Sequence, residues 1–360
     1  MELKIKNEVL QKMLSKSVKC SNQNIPLAGM LELSYDGKEL TVTTFDGNTY
    51  MYVKSSDVVS GDKGFKVVVQ IGDFADKIQK LSASLESDLK LDDRKLQLKS
   101  GRYSTAIELP LNSEGKKLSF PNAMKGFSAS ESYKLTNEDV SKIVSAIKGS
   151  LCKDNSSGDA YMNYLFSDCV LGTDSEVISL FKKKIFNSDR LVSPKILDLI
   201  LLGDGDVNID FSTKQMKLSN DSCTLLTNII GGVDNFNKSL LDPFINRQYD
   251  SFCDVKTSGE DGLKYAINLL TMSVKDYDRG LIEIKFGKKK LTVKSLDGAT
   301  VFDIDYISSD VSEELEAKIN ISLLKSQLAT VKEENVKILF TDERSICLDC
   351  GDIQHIISLS

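Results

Sequence analysis

Leu40-Thr41-Val42-Thr43-Thr44-Phe45-Asp46-Gly47-Asn48-Thr49 alternates apolar and polar residues, turns at Asp-Gly, and then resumes as an extended run. The pattern returns roughly 250 residues downstream as Leu291-Thr292-Val293-Lys294-Ser295-Leu296-Asp297-Gly298-Ala299-Thr300. A Gly-Lys turn precedes both copies, at Gly37-Lys38 and Gly287-Lys288. Alternation that ends in Asp-Gly reads as a β-hairpin, because the two central positions of a tight hairpin turn need positive φ. The spacing is about twice a small domain, so a third copy is expected midway. A weaker one stands at Thr173-Asp174-Ser175-Glu176-Val177-Ile178-Ser179-Leu180.

Composition sets the bounds. The chain has 360 residues, 41% of them hydrophobic, enough for two or three domains with cores of their own. Its seven cysteines follow no framework spacing. Met1-Glu2-Leu3-Lys4-Ile5-Lys6 lacks the apolar segment of a secretion signal, and no apolar run reaches the ~20 residues of a membrane span. A reducing cytoplasm and no membrane partner are expected. The net charge of −6 argues against a surface coated in basic patches but leaves room for a local basic face.

Helical spacing at Val9, Leu10, Met13 and Leu14 predicts a helix over 7–19, with Gln11, Lys12, Ser15, Lys16 and Lys19 on its other face. Phe74, Ile78 and Leu81 predict a second helix over 73–83 that exposes Lys77 and Lys80. Strands are predicted at 2–6, 30–35, 39–44, 49–54, 65–70, 88–92, 95–99 and 104–109. The order then recurs. Thr136-Asn137-Glu138-Asp139 is a capping signal before Val140, Ile143, Val144 and Ile147. Strands over 161–171 and 177–186 follow, and Ser193-Pro194 opens a helix that stops at Gly203. Strands at 207–211, 215–219 and 224–229 close the round. The third round has a helix over 262–274, strands at 281–286, 290–295 and 300–306, and a helix capped by Asn320 and Ser322. It ends in strands at 336–341, 345–349 and 355–359. The strands behind the second helices align through Leu98, Leu218 and Phe340. The fold class is α+β: three repeats over 1–122, 123–246 and 247–360, each with two helices on β-sheets and no low-complexity linker between them.

Lys12, Lys16, Lys19, Lys77, Lys80, Lys142, Lys148, Lys264 and Lys325 fall on the non-core faces of predicted helices. In an acidic chain that distribution fits a positive surface inside a negative shell. Ordinary solvation of helix faces would produce the same pattern one residue at a time. The second helix of the middle repeat offers only Lys195.

Reactive chemistry is hard to build from this sequence. The single histidine, His355, sits in a predicted strand and cannot furnish a His-rich metal site. Cys347-Leu348-Asp349-Cys350 has redox-like spacing but no following helix and no second pair. Gly203-Asp204-Gly205-Asp206 reads as a helix stop, since the remaining ligands of a calcium loop are missing. No phosphate-binding loop with its lysine and no nucleophile elbow occurs. No enzyme activity, metal or cofactor is expected.

Three such units resemble the bacterial-type β sliding clamp, the processivity factor of replicative DNA polymerases. The likeness spans essentially the whole chain and rests on the order of individually weak motifs. Repeat one contributes Ile25-Pro26-Leu27 and Lys99-Ser100-Gly101-Arg102. Repeat two contributes Tyr161-Met162-Asn163, Thr173-Asp174, and Phe236 with Pro243. Repeat three contributes Arg279-Gly280, Asn320-Ile321-Ser322, and Glu334-Asn335-Val336 running to Thr341-Asp342.

The resemblance implies a head-to-tail homodimeric ring of six units, helices lining the hole, that encircles double-stranded DNA without sequence preference. The nine lysines above would face the DNA. It implies a seat for short peptides of the replicative polymerase, the clamp loader and other clamp-binding-motif proteins. By motif position that seat takes Met162, Thr173, Ser175, Val177, Ile178, Leu241, Leu323, Ile356, Ile357 and Leu359. Plain core packing is the competing account of its Ile, Leu and Val positions. Ile107 and Met272 stand where the family joins its two copies, and both could equally be internal core residues.

Three departures stand out. Ser175-Glu176-Val177-Ile178 replaces the family's Gly-His-Arg-Leu, and the chain stops at Ser358-Leu359-Ser360 without the family's Met-Pro-Met ending. The loop Ser21-Asn22-Gln23-Asn24 lacks the basic residue that often touches DNA, so that contact is not carried over. A divergent clamp, phage-encoded and matched to its own polymerase, would explain an altered peptide seat. The rival readings are a β-rich scaffold protein that does not bind DNA and, last, a hydrolase, for which no carboxylate pair has a recognisable spacing.

Overall fold

The structure, a computed structural model, describes residues 1–154, 158–275, 278–341 and 344–360; Asp342 of the Thr341-Asp342 motif lies outside them. The chain forms two compact units. One comprises Met1–Val140 with Lys195–Ile229, the other Ser141–Pro194 with Ile230–Ser360. Each is organised by a sheet that runs from one sequence repeat into the next.

In the first unit, β1 (Glu2–Lys6) leads straight into α1 (Asn7–Ser17). No side chain caps this helix; Asn7 is buried instead. Its amide donates to the Ser82 carbonyl (2.8 Å) and Ser100 Oγ (2.9 Å), and it accepts from Ser87 Oγ (2.5 Å). α2 (Ile71–Gln79) lies beside α1, because Gln11 Nε2 donates to the carbonyls of Ile78 and Leu81, both at 2.9 Å. Leu10, Leu14, Phe74 and Ile78 are fully buried between the helices and the strands. One sheet holds β5 (Val58–Gly61), β1, β7 (Glu86–Leu91), β8 (Lys95–Ser100) and β9 (Tyr103–Glu108), in that order.

The other sheet of this unit begins with β6 (Phe65–Gln70), β2 (Met30–Tyr35), β3 (Leu40–Phe45) and β4 (Thr49–Ser55). It continues without a break into β17 (Cys223–Asn228), β16 (Gln215–Ser219), β15 (Val207–Phe211) and β10 (Glu131–Leu135) of the next repeat. The seam is the antiparallel pair β4–β17, with Leu225 opposite Met51.

The second unit is built the same way. Its sheet starts with β14 (Arg190–Val192), β11 (Tyr164–Phe166), β12 (Val170–Thr173) and β13 (Val177–Phe181). Across the seam come β25 (Ile353–Ser358), β24 (Ser345–Cys350), β23 (Asn335–Phe340) and β18 (Ser251–Lys256). Beyond them lie β21 (Val301–Ser309), β20 (Lys290–Ser295), β19 (Leu281–Phe286) and β22 (Leu315–Asn320). Here Ser179 stands opposite His355.

The remaining helices are α3 (Asn137–Ile147), α4 (Pro194–Ile200), the single turn α5 (Asp242–Ile245), α6 (Leu263–Thr271) and α7 (Ile321–Thr330). At the start of α3 the Asp139 N–H donates to Thr136 Oγ1 (3.0 Å) and the Thr136 N–H to the Asp139 carboxylate (3.3 Å), the reciprocal cap expected. The Asn320 side chain accepts from the Ser322 N–H (2.9 Å) and starts α7.

The hairpin turns rank differently from their sequences. Asp46 accepts the N–H groups of Asn48 and Thr49 on one oxygen, and Asp174 does the same for Glu176 and Val177. Gly47 and Ser175 take the same role at φ 106° and 77°. The weak middle copy is therefore the structural twin of the first. In the third copy the Ser295 N–H meets the Thr300 carbonyl, which leaves a longer loop despite the matching Asp-Gly.

Several expectations need correction. Residues 161–171 are not one strand: Tyr161 and Met162 belong to a 3-10 turn over Asp159–Met162, and a turn at Ser167-Asp168 separates β11 from β12. α1, α2 and α6 end sooner than predicted, so Lys19, Lys80 and Met272 follow their helices, and Lys148 lies in the 3-10 turn after α3. Phe340 sits on β23, one strand early; the residue matching Leu98 and Leu218 is Leu348, which faces Ile338 as they face Leu89 and Ile209. β5, β14 and β22 were not anticipated.

Candidate DNA-facing lysines and partner seat

The predicted lysines divide by what holds them. Lys12, Lys19, Lys80 and Lys325 are exposed, and so is Lys148. Lys16, Lys77, Lys142, Lys148 and Lys264 have partners within the chain. Lys16 Nζ lies 3.2 Å from Asp204 and Lys142 Nζ 3.3 Å from Asp352, while Lys77 pairs with Asp73 one helical turn away. Lys264 donates to the Val331 carbonyl at 2.6 Å. Lys195 of α4 pairs with Asp46. Hydrogen bonding to Lys16, reinforced by its charge, holds the Asp204 carboxyl below its ordinary range. Burial pushes Asp46 up, but Lys195 and the turn amides outweigh it, so it too stays below that range. Gly203-Asp204-Gly205 is the expected helix stop: the Gly203 N–H reaches the Ile200 carbonyl (3.0 Å), and Gly205 has φ 86°.

The predicted peptide-seat residues separate by strand alternation, because neighbours along a strand point to opposite faces. Ile178 and Ile356 face each other across the seam on the outer side, and both join an apolar cluster with Leu171, Leu180, Phe236 and Cys347. Thr173 stands opposite Ile178 on that same side. Leu241 packs onto the cluster from the loop that carries α5, as do Ile245 and Tyr249. Val177 and Ile357 also pair with each other, but on the opposite, helix-bearing side, where both are fully buried. They are core residues, not seat residues. α7 lies on that inner side too, as Gln327 shows by approaching Ser179 at 3.4 Å, so Leu323 is not on the outer face. Met162 is half-buried, and it is its neighbour Tyr161 that packs on the cluster, 4.8 Å from the Phe236 ring. Ser175 is exposed in its turn and Leu359 half-buried beyond β25. Leu171, Leu180, Phe236, Ile245 and Tyr249 were missed. The period-two spacings of Leu171 from Thr173 and of Leu180 from Ile178 are the sequence signals that could have found the first two.

Cys347 lies fully buried at the base of this cluster, and burial pushes its thiol, like that of Cys350, up to about 12. Neither is poised as a thiolate.

Of the two junction residues, Met272 is 77% exposed, whereas Ile107 is 2% exposed. Ile107 points from β9 into its own unit's core, opposite Leu96, so it cannot offer its side chain to a second copy. The exposed apolar side chain on that strand is Tyr103, at 40%.

Among the described residues no helix is long and apolar enough to cross a membrane. No protein-family profile and no curated protein matches the sequence. Solved structures do match. The β subunit of DNA polymerase from Streptococcus pyogenes superposes with a TM-score of 0.83 at 16% identity, over 100% of both chains. The DNA polymerase III subunit beta from Pseudomonas aeruginosa gives 0.80 at 16% identity, again over 100% of both. The DNA polymerase sliding clamp from Bacillus subtilis gives 0.82 at 13% identity, over 100% of this chain and 99% of that one. From end to end, with a strongly diverged sequence, this chain has the fold of the bacterial DNA sliding clamp, the DNA polymerase III β subunit.

Proposed function

We propose that the protein is a non-catalytic sliding clamp: two copies close head to tail around duplex DNA and tether the replicative polymerase. The observation that carries this reading is a rule of strand pairing. At the seam within each unit, the strand after the hairpin turn of one repeat pairs antiparallel with the last strand of the next: β4 with β17, and β13 with β25. Applied once more, the rule asks β21 to pair with β9 of a second copy. Among the described residues both edges are free to do so. β9 is the outer strand of its sheet. The first half of β21 pairs only with β20, since β18 meets its residues from Tyr306 onward. The positions on β9 that match buried Cys223 and Ile353 and buried Leu225 and His355 are Tyr103 and Thr105. Tyr103 is 40% exposed and Thr105 half-buried.

An unpaired edge of this kind is a template for another strand. A heterologous contact repeated by rotation closes into a ring. Within it the exposed lysines would supply weak phosphate attraction, which suits sliding, because enclosure replaces affinity. The Ile178–Ile356–Leu241 face supports a seat for apolar anchors of polymerase, clamp-loader and other clamp-binding-motif peptides.

The test is negative-stain imaging with solution mass, followed by retention on DNA. A closed two-chain ring that stays on circular duplex and leaves after linearisation is expected. Equal retention on both DNA forms would overturn encirclement. A scaffold that ignores DNA would be retained on neither.

A further inference from the structure

If three repeats use one pairing rule, their edges resemble one another, and each must avoid the wrong partner. The inner faces of the seams differ in a way that answers this problem. At the matching position of the first seam the facing residues are Met51 and Leu225, both fully buried and apolar, while that seam's buried polar pair, Thr49 with Thr227, stands two residues away. At the second they are Ser179 and His355, also fully buried. The His355 ring is satisfied on both sides. Nδ1 is 2.7 Å from Ser179 Oγ, and Nε2 is 3.0 Å from Thr330 Oγ1.

The hydroxyls fix the direction of this chain of bonds. Thr330 donates to the Gln327 carbonyl (2.7 Å), so it accepts from Nε2–H, and Nδ1 accepts from Ser179. Ser150 lies 2.5 Å from Ser179 and completes the network. The network thus draws on α7, β13, β25 and the turn after α3. Only the correct neighbour completes it.

We propose that the Ser179–His355 pair determines which edges may join: it admits β25 to β13 and rejects β25 from β4, of this or another copy. Against Met51 the imidazole would be buried with Nδ1 unpaired, and a buried polar group without its partner is strongly disfavoured. The pair contributes specificity as a rejected alternative, not as an added attraction. A buried polar residue setting register in a coiled coil works by the same physics. The inference extends the ring reading, since wrong pairings matter most where free edges meet.

The test is the double variant Ser179→Met/His355→Leu, which gives the second seam the chemistry of the first. Wild type and variant are unfolded in urea, refolded at equal concentration and weighed by mass photometry. The variant is expected to keep a cooperative melt, with a roughly tenfold rise in mass outside the wild-type species, the ratio expected when about 1.4 kcal/mol of discrimination is lost. Refolding of the variant to the wild-type species alone would overturn the proposal. Should the double variant not fold, Ser179→Ala leaves the imidazole in place with Nδ1 unpaired in the correct seam as in the wrong one, so the discrimination is lost. It is expected to mispair as well, and a single wild-type species from it would also overturn the proposal. A monomeric wild type would sink the ring while leaving this comparison intact, because the inference is read from the difference between variant and wild type.

Discussion

Lys195 of α4 donates to one oxygen of Asp46 while the other oxygen of that carboxylate closes the hairpin turn in front of β4. One side chain thus sets the turn of repeat one and ties it to a helix of repeat two. The two roles can be separated by substitution. Asp46→Asn keeps an oxygen for the turn amides and loses the charge, so with Lys195 half exposed it should cost under about 1 kcal/mol. Asp46→Ala loses both roles and should cost more, about 1–2 kcal/mol, because the exposed Asn48 amide and the part-buried Thr49 amide lose their shared acceptor. Urea unfolding of the two variants checks this, and equal losses would mean that the turn bonds are unimportant.

Ser175 occupies the position of Gly47 but carries a side chain at φ 77°. The left-handed region costs a non-glycine residue about 1–2 kcal/mol, and glycine returns about half of that gain as unfolded-state entropy. Ser175→Gly is therefore expected to stabilise the protein by about 0.5–1 kcal/mol, read as a higher urea midpoint at unchanged slope. A lower midpoint would mean that the hydroxyl does more than its position in an exposed turn implies.

His355 makes stability depend on pH in a direction that follows from its burial, which lowers its proton affinity to about 4 from an ordinary 6.5. A base depressed in the folded state binds its proton more readily when unfolded. Its neutral form is therefore stabilising above about pH 6.5, and that contribution falls away as pH drops toward 4. The size is on the order of 3 kcal/mol across the window. Urea midpoints at pH 7 and pH 4.5 should differ more in wild type than in His355→Gln, which puts an amide that does not titrate between the hydroxyls of Ser179 and Thr330. Parallel losses in both proteins would assign the effect to other groups.

What the sequence made legible was local. The helices stand near their predicted places because Leu10, Leu14, Phe74 and Ile78 recur at helical spacing and have one face to bury. The hairpins were legible because Asp-Gly turns are short-range signals. Pairing across a seam is not short-range: nothing near Met51 names Leu225, and nothing near Ser179 names His355. The same gap misled the reading of the seat. Val177 and Ile178 are adjacent in sequence and equally apolar, yet one faces the helices and the other the outer cluster, and only the register of β13 against β25 separates them. Ile107 was placed at a junction by strand position alone; it shares a face of β9 with Tyr103 and Thr105, but opposite Leu96 it is covered by its own unit's core.

The lysines engaged within the chain make a prediction opposite to the usual one for acidic residues near DNA. Lys16 is largely covered, with Asp204 at 3.2 Å and Ser222 Oγ at 3.4 Å. Asp204 competes with phosphate for that ammonium, so Asp204→Ser should strengthen association with linear duplex rather than leave it unchanged. Each additional lysine released to phosphate steepens the dependence of log Kobs on log salt by about 0.9. The slope of Asp204→Ser should therefore exceed that of wild type by about one contact, and Asp204→Ser/Lys16→Ala should return it to the wild-type value. Lys12→Ala removes an exposed ammonium on the same helix and should instead make the slope shallower. Identical salt slopes for all four proteins would place α1 away from the DNA altogether, whatever the ring encloses.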